Sequence, residues 1–246
     1  VVDGKEYSQE IVKINYSHIP LQTLVLPSKV KLTKFNIEKR GEKIGYIEGA
    51  GDMVPESLEQ IGYSVTKINP ETITEASLDT YDAVVVGIRA YIVVESLKYS
   101  QKAPIAYVKN GGTLIVQYNT SRGLLIDNIA PFELQLSRDR VTEEDAEVRF
   151  LAKDHPVLNT PNKITKNDFE DWVQERGLYF ADEWSDEFTP ILSMNDKGET
   201  SKEGSLLIAE YGKGHYIYTG LSFFREFPAG VPGAFRLFAN LISIGK

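Results

Sequence analysis

The hydrophobic and polar positions of this chain change rhythm at Lys43. Before it, Ile11, Ile14, Tyr16 and Ile19 are irregularly spaced. After Pro27, the residues Val30, Leu32, Phe35 and Ile37 interleave with Lys29, Lys31 and Lys34. That interleaving is strand-like, and Pro20 and Pro27 punctuate it. Residues 1–40 therefore read as one or two extended segments packed on the main domain, or as the tail of an upstream domain. From Lys43 the pattern sharpens. A short apolar strand over 43–47 runs into Glu48-Gly49-Ala50-Gly51-Asp52. Pro55 suits the first turn of a helix over 56–61, with Asp52 or Val54 near its cap and Gly62 as its stop.

A second strand is predicted over 64–68, ended by Pro70, and a helical stretch over 72–78. Residues 82–88 form a nearly continuous apolar run, as in a strand buried on both faces. Helical spacing over 96–109 stops at Asn110-Gly111-Gly112, and a fourth strand follows over 113–118. Strands alternating with helices across short loops predict a doubly wound, mainly parallel α/β sheet of flavodoxin-like order 2-1-3-4. Residues 122–204 break the rhythm. Charge gathers over 138–147, and Phe169, Trp172, Tyr179, Phe180, Trp184 and Phe188 cluster, so an insertion with an aromatic sub-core is expected. Segments 205–211 and 216–220 read as a hairpin around Gly212-Lys213-Gly214. An amphipathic helix over 234–244 closes the domain of residues 41–246.

Composition narrows the chemistry. The 246 residues hold 42% apolar and 25% charged side chains, ordinary for a globular protein. There is no cysteine, which excludes disulfides, thiolate catalysis, zinc–thiolate sites and iron–sulfur clusters. The net charge of −8 argues against nucleic acid as a partner. No apolar run approaches the ~18 residues of a membrane span. The chain starts Val-Val-Asp-Gly, with neither an initiator Met nor a signal-like apolar stretch. A piece of a longer polypeptide is expected, with the upstream domain as its partner.

Several groups could carry chemistry. The loop Glu48–Asp52 sits where a dinucleotide loop would, but Val54 replaces the third glycine of that motif and Glu48 and Asp52 would repel phosphate. It reads as a tight strand-to-helix turn, and no cofactor is implied. His18, His155 and His215 are far apart without metal-ligand spacing. The stretch 167–177 holds four carboxylates. Asp168, Asp171 and Glu175 have the spacing of one solvated helix face over buried Phe169 and Trp172, although carboxylate pairs also serve glycosidases. Trp172 and Trp184 could stack on a sugar ring, with core packing as the simpler reading.

Three stretches carry a family resemblance. They are Ile44-Gly45-Tyr46-Ile47-Glu48-Gly49-Ala50-Gly51-Asp52 with Val54-Pro55, Trp172-Val173-Gln174-Glu175-Arg176-Gly177, and the run from Gly204 through Tyr211-Gly212-Lys213-Gly214 and Tyr218-Thr219-Gly220-Leu221-Ser222-Phe223-Phe224-Arg225-Glu226 to Gly230-Val231-Pro232-Gly233-Ala234. Together they resemble the C-terminal region of large LmbE/PIG-L family deacetylases of the Bacteroidetes type. That region is similar to class I glutamine amidotransferases, ThuA-like proteins and the middle domain of some β-galactosidases. The resemblance covers residues 40–246. It implies a periplasmic or secreted setting and a deacetylase domain upstream. The deacetylase motif His-Pro-Asp-Asp has no counterpart, because the His-Pro here continues as His155-Pro156-Val157-Leu158. The amidotransferase nucleophile would fall on Tyr118, and its late Phe-His-Pro-Glu pattern on Phe223-Phe224-Arg225-Glu226. Only Glu226 keeps its type, and a phenol with a phenyl ring cannot replace a thiolate with its base.

Two functional readings follow. The first is a non-catalytic accessory domain that binds a glycan or small polar ligand, or braces its neighbour. The second is a hydrolase acting on a carbohydrate-type substrate through an unrecognised carboxylate or metal site. Glu48, Asp52, Arg89, Tyr91, Asn119 and Arg122 are the candidate binding residues, since their loops meet at the carboxyl edge of such a sheet. Arg89 ends a buried strand, and a pair with Glu48 or Glu226 is expected to fill the old nucleophile space.

Overall fold

The structure, a computed structural model, describes residues 3–246. It divides into two units, one ending at Lys34 and the other running from Phe35 to Lys246. The first is an antiparallel hairpin, β1 (Gln9–Ile14) with β2 (Gln22–Pro27). Residues 28–42 carry no regular element, although their alternation reads as a strand. Among the described residues no strand pairs with this stretch, and Val30 and Leu32 are 90% and 92% exposed.

The second unit is built on β3 (Lys43–Ile47), α1 (Val54–Gln60), β4 (Ser64–Lys67), α2 (Glu75–Leu78), β5 (Ala83–Val86), α3 (Ala90–Val93), α4 (Leu97–Ser100), α5 (Lys102–Lys109) and β6 (Thr113–Gln117). Strands β4, β3, β5 and β6 lie side by side and parallel, the expected 2-1-3-4 order. The apolar run of β5 explains why it is central. Ala83 and Val85 enter one core layer with α1, and Val84 and Val86 enter the other beside the α3–α5 face, all fully buried. The helix expected over 96–109 is broken at Gln101. Pro104 has no N–H to give the Ser100 carbonyl and its ring crowds that oxygen, so the chain stops and restarts there. The stretch expected to be helical over 72–78 resolves into a 3-10 turn, Pro70–Thr72, and α2, which starts on a Thr74–Ser77 capping box.

Beyond β6 come short pairs: β7 (Leu134–Leu136), β8 (Arg140–Val141), β9 (Arg149–Phe150), then α6 (Pro156–Asn159), β10 (Gly177–Leu178), β11 (Ala181–Trp184), β12 (Phe188–Pro190) and β13 (Leu192–Ser193). β8 pairs with β10, β7 with β11, and β9 with β13, all antiparallel. Strands β14 (Leu206–Tyr211) and β15 (Gly214–Thr219) form the expected hairpin, α7 (Phe223–Glu226) follows, and α8 (Pro232–Ser243) packs under the sheet. The full sheet order is β12-β14-β15-β6-β5-β3-β4, with β15 parallel to β6. The sheet therefore resumes at Phe188, earlier than the 205 expected from the rhythm. Phe169, Trp172 and Phe180 belong to the main core rather than to a separate aromatic one.

The helix face expected from Asp168, Asp171 and Glu175 does not form. A 3-10 turn, Lys166–Phe169, ends at Glu170, and Asp171 and Gln174 take left-handed backbone at φ 60° and 69°. Asp168 and Glu175 are buried instead of solvated, each 9% exposed. Asp168 pairs with Arg236 at 2.7 Å and Glu175 with Arg225 at 2.8 Å. Phe169 and Trp172 are buried as expected and stack at 5.5 Å.

Candidate functional site

The carboxyl ends of β3, β5 and β6 bring the candidate loops together. The turn after β3 is pressed against the one after β5. The Ala50 N–H donates to the Ile88 carbonyl at 2.8 Å, and a side chain on Gly49 would stand 2.1 Å from that same oxygen. Only glycine permits this approach. Asp52 turns inward. Its carboxylate accepts the Tyr46 hydroxyl at 2.6 Å and the Val54 N–H at 2.9 Å, which fixes the entry to α1. Gln117 donates to the same tyrosine oxygen at 3.2 Å. Burial raises the Asp52 carboxyl above its ordinary range, against the pull of these hydrogen bonds. Asp52 and Ala50 thus tie the turn after β3 to its own strand, to the start of α1 and to the turn after β5.

Glu48 is exposed and pairs with Lys67 at 2.8 Å. Tyr91 and Asn119 are fully buried. Asn119 acts as a bracket: its amide oxygen accepts the Tyr91 N–H at 3.1 Å and its amide nitrogen donates to the Gln117 carbonyl at 3.0 Å. Arg89 takes left-handed backbone at φ 58°, and its N–H donates to the Tyr118 carbonyl at 2.8 Å. The expected Arg89–carboxylate pair does not form. Glu48 is taken by Lys67, Glu226 is satisfied elsewhere, and the buried Nε of Arg89 has no partner. The left-handed turn sends the chain into α3 rather than toward either carboxylate.

Tyr118 follows β6. Its ring lies parallel to Tyr179, with centroids 6.0 Å apart, and tilted against Phe224 at 5.2 Å. The three side chains fill the space between β6, the segment after β10 and α7. Burial raises the Tyr118 phenol pKa, with the nearby Arg89 and Arg225 opposing the rise. Arg225 is held over the Phe224 ring at 4.8 Å by Glu175 and Gln174. Tyr118 and Phe224, on which the resemblance would put the nucleophile and the base, are neighbours in space.

Glu226 lies deeper, with no exposed surface. It accepts the Val173 N–H at 2.9 Å and the Ser222 hydroxyl at 3.1 Å. Burial pushes its carboxyl up to about 7, while those donors and the Arg176 guanidinium hold it down. Beside Tyr179 a cleft of 330 Å³ opens, lined by Thr120, Ser121, Arg122, Arg138 and Tyr179. Tyr179 and Arg138 were not legible as site residues. Tyr179 reaches the site through a left-handed backbone at φ 53°, which no spacing announces. Among the described residues no three His, Asp or Glu side chains are grouped to hold a metal ion, and no helix is long and apolar enough to cross a membrane.

No family model matches the sequence, and no curated protein matches it. Solved structures do. A candidate GMP synthase protein from Thermoplasma acidophilum superposes with a TM-score of 0.52 at 11% identity, over 85% of this chain and 96% of that one. A cytoplasmic protein from Salmonella typhimurium gives 0.53 at 14% identity, over 95% and 94%. A ThuA-like protein from Bacteroides uniformis gives 0.46 at 12% identity, over 86% and 94%. At these identities the likeness is one of fold, and the fold is α/β, flavodoxin-like, of the glutamine-amidotransferase-like kind.

Proposed function

We propose that this chain is a non-catalytic binding domain on an amidotransferase-like fold, taking a small polar ligand or glycan at the carboxyl edge of its sheet. The observation that carries the reading is Tyr118, packed between Tyr179 and Phe224 where the fold would present a nucleophile. A phenol with its pKa raised by burial is a poor nucleophile, and the carboxylate that acts on it, Glu175, is paired with Arg225. The carboxylates that a hydrolase would need are engaged: Glu48 by Lys67, Asp52 by Tyr46, and Glu226 by Val173 and Ser222. The resemblance of three sequence stretches to the C-terminal region of LmbE/PIG-L deacetylases supports a place as accessory domain to such an enzyme, with the upstream domain of the same polypeptide as partner.

The test uses the purified full chain. Glutamine, p-nitrophenyl esters and p-nitrophenyl glycosides are assayed for turnover, and a panel of neutral and charged sugars is screened for a rise in Tm, which ligand binding to the native state produces. No turnover with a saturable Tm rise is expected. Turnover on any of these substrates that disappears in Tyr118→Ala would overturn the reading.

A further inference from the structure

The arginines at this edge are not balanced by carboxylates. Arg122 and Arg138 line one cleft with Tyr179, Thr120 and Ser121. Neither forms an ion pair or a side-chain hydrogen bond among the described residues. Arg89 stands close enough to Tyr118, the stacking partner of Tyr179, to shift its phenol, and it too lacks a carboxylate. Two acids on the adjoining segments are already committed: Glu175 to Arg225 and Asp139 to Lys202. In a chain of net charge −8, two guanidinium groups without an ion pair thus line one cleft with an aromatic ring. The loop adds neutral donors. Among the described residues no group accepts from the N–H of Ser121 or Arg122, and Thr120 Oγ1 donates to the Arg122 carbonyl at 2.8 Å, which holds the turn.

We propose that this cleft binds an organic oxyanion of monosaccharide size, a carboxylate or phosphate ester, on Arg122 and Arg138. The guanidinium fork matches the two oxygens of such a group. The volume of 330 Å³ sits at the low end of small-molecule pockets, about 300–1,000 Å³, which suits one sugar ring rather than a chain. Tyr179 lines the same wall and offers an apolar surface to ring C–H groups. The inference rests on the proposed binding role only in taking the carboxyl edge as the binding edge.

The experiment is calorimetric titration of the full chain, at low and at physiological salt, with glucuronate, glucose 6-phosphate and glucose. One or both acids should bind, more weakly as salt rises, and glucose should bind at least tenfold more weakly. Preference between the two acids assigns the anion as carboxylate or phosphate. Arg122→Gln and Arg138→Gln should each weaken the acid by about tenfold or more, since hydrogen bonds to charged groups contribute about 1.5–3 kcal/mol. Both side chains lack partners, so Tm of the unliganded variants serves as the control for folding and should not move. Three results would overturn the inference: no acid binding at millimolar concentration, glucose binding as tightly as the acids, or acid affinity retained in the double variant. Each of these leaves the binding-domain reading to its own turnover assay, which they do not touch.

Discussion

Tyr118 and Tyr179 lie face to face, their ring planes 9° from parallel and their centroids 6.0 Å apart. Phe224 closes the third side. Tyr118 is 8% exposed, and its hydroxyl makes no hydrogen bond among the described residues. The ring, not the hydroxyl, is what this position contributes. Tyr118→Ala should cost about 3–5 kcal/mol, the usual loss for a buried aromatic. Tyr118→Phe should stay within about 0.5 kcal/mol of the parent. Urea unfolding measures both, and a Phe variant as weak as the Ala variant would contradict the assignment.

Gly49 offers a sharper steric test. A Cβ there would meet backbone, the Ile88 carbonyl at 2.1 Å, and neither loop can retreat without breaking the Ala50–Ile88 hydrogen bond. Gly51, two residues on, has open space around it but a φ of +93°. Gly51→Ala should therefore cost only about 1 kcal/mol of backbone strain. Gly49→Ala should cost at least ~2 kcal/mol through overpacking. Thermal unfolding of the pair ranks them, and equal losses would mean that the two loops are not locked together.

The central strands β5 and β6 were legible because each is a nearly unbroken apolar run buried on both faces, whereas the polar, largely exposed edge strand β4 was legible only from its place between Gly62 and Pro70. The Pro104 break was present in the sequence as well, three residues into the second helix, but the flanking apolar spacing concealed it. The segment after Phe169 was not legible. Asp168, Asp171 and Glu175 fall on helical spacing, yet the chain there turns on left-handed Asp171 and Gln174, conformations that non-glycine residues adopt only when tertiary contacts hold them. What holds them is remote in sequence: Arg236 takes Asp168 and Arg225 takes Glu175. Arg89 failed for the opposite reason. A cation at the end of a buried strand suggests a carboxylate partner, but the partner was inferred from loop adjacency, and a left-handed turn redirected the chain.

The Asp168–Arg236 pair ties α8 to the inserted segment, so its loss should be felt. Asp168 also accepts the Thr165 N–H at 2.8 Å, and Arg236 reaches the Asn36 and Lys163 carbonyls at 2.9 Å. Asp168→Ala removes the acceptor of the Thr165 N–H and of the Arg236 Nε, while the outer Arg236 nitrogens keep their two carbonyls, and should cost about 3 kcal/mol, near the lower bound for a buried pair because Arg236 keeps some water contact. Asp168→Asn retains an acceptor oxygen and should lose less. Guanidinium unfolding midpoints for the two variants test the order, and equal losses would assign the effect to charge alone.

Glu226 makes stability depend on pH in an unusual direction. Its carboxyl titrates at about 7 in the folded chain and near its ordinary value, about 4.3, when unfolded. Between those values the native state holds a proton that the unfolded state has released. Stability from this group is therefore full below the unfolded value and falls as pH rises toward 7, levelling off above it. The span corresponds to a loss on the order of 3 kcal/mol, set by burial with no exposed surface and only partly offset by Val173, Ser222 and Arg176. Other groups titrate in the same range, so the readout is the difference between the parent chain and Glu226→Gln. The amide cannot ionise, and its oxygen can still accept the Val173 N–H. At pH 5 the parent should match or exceed the variant in unfolding free energy. By pH 8 the parent should have lost ground to it by a few kcal/mol. Parallel pH profiles for the two proteins would place the Glu226 carboxylate in its ordinary range and remove the burial argument for this position.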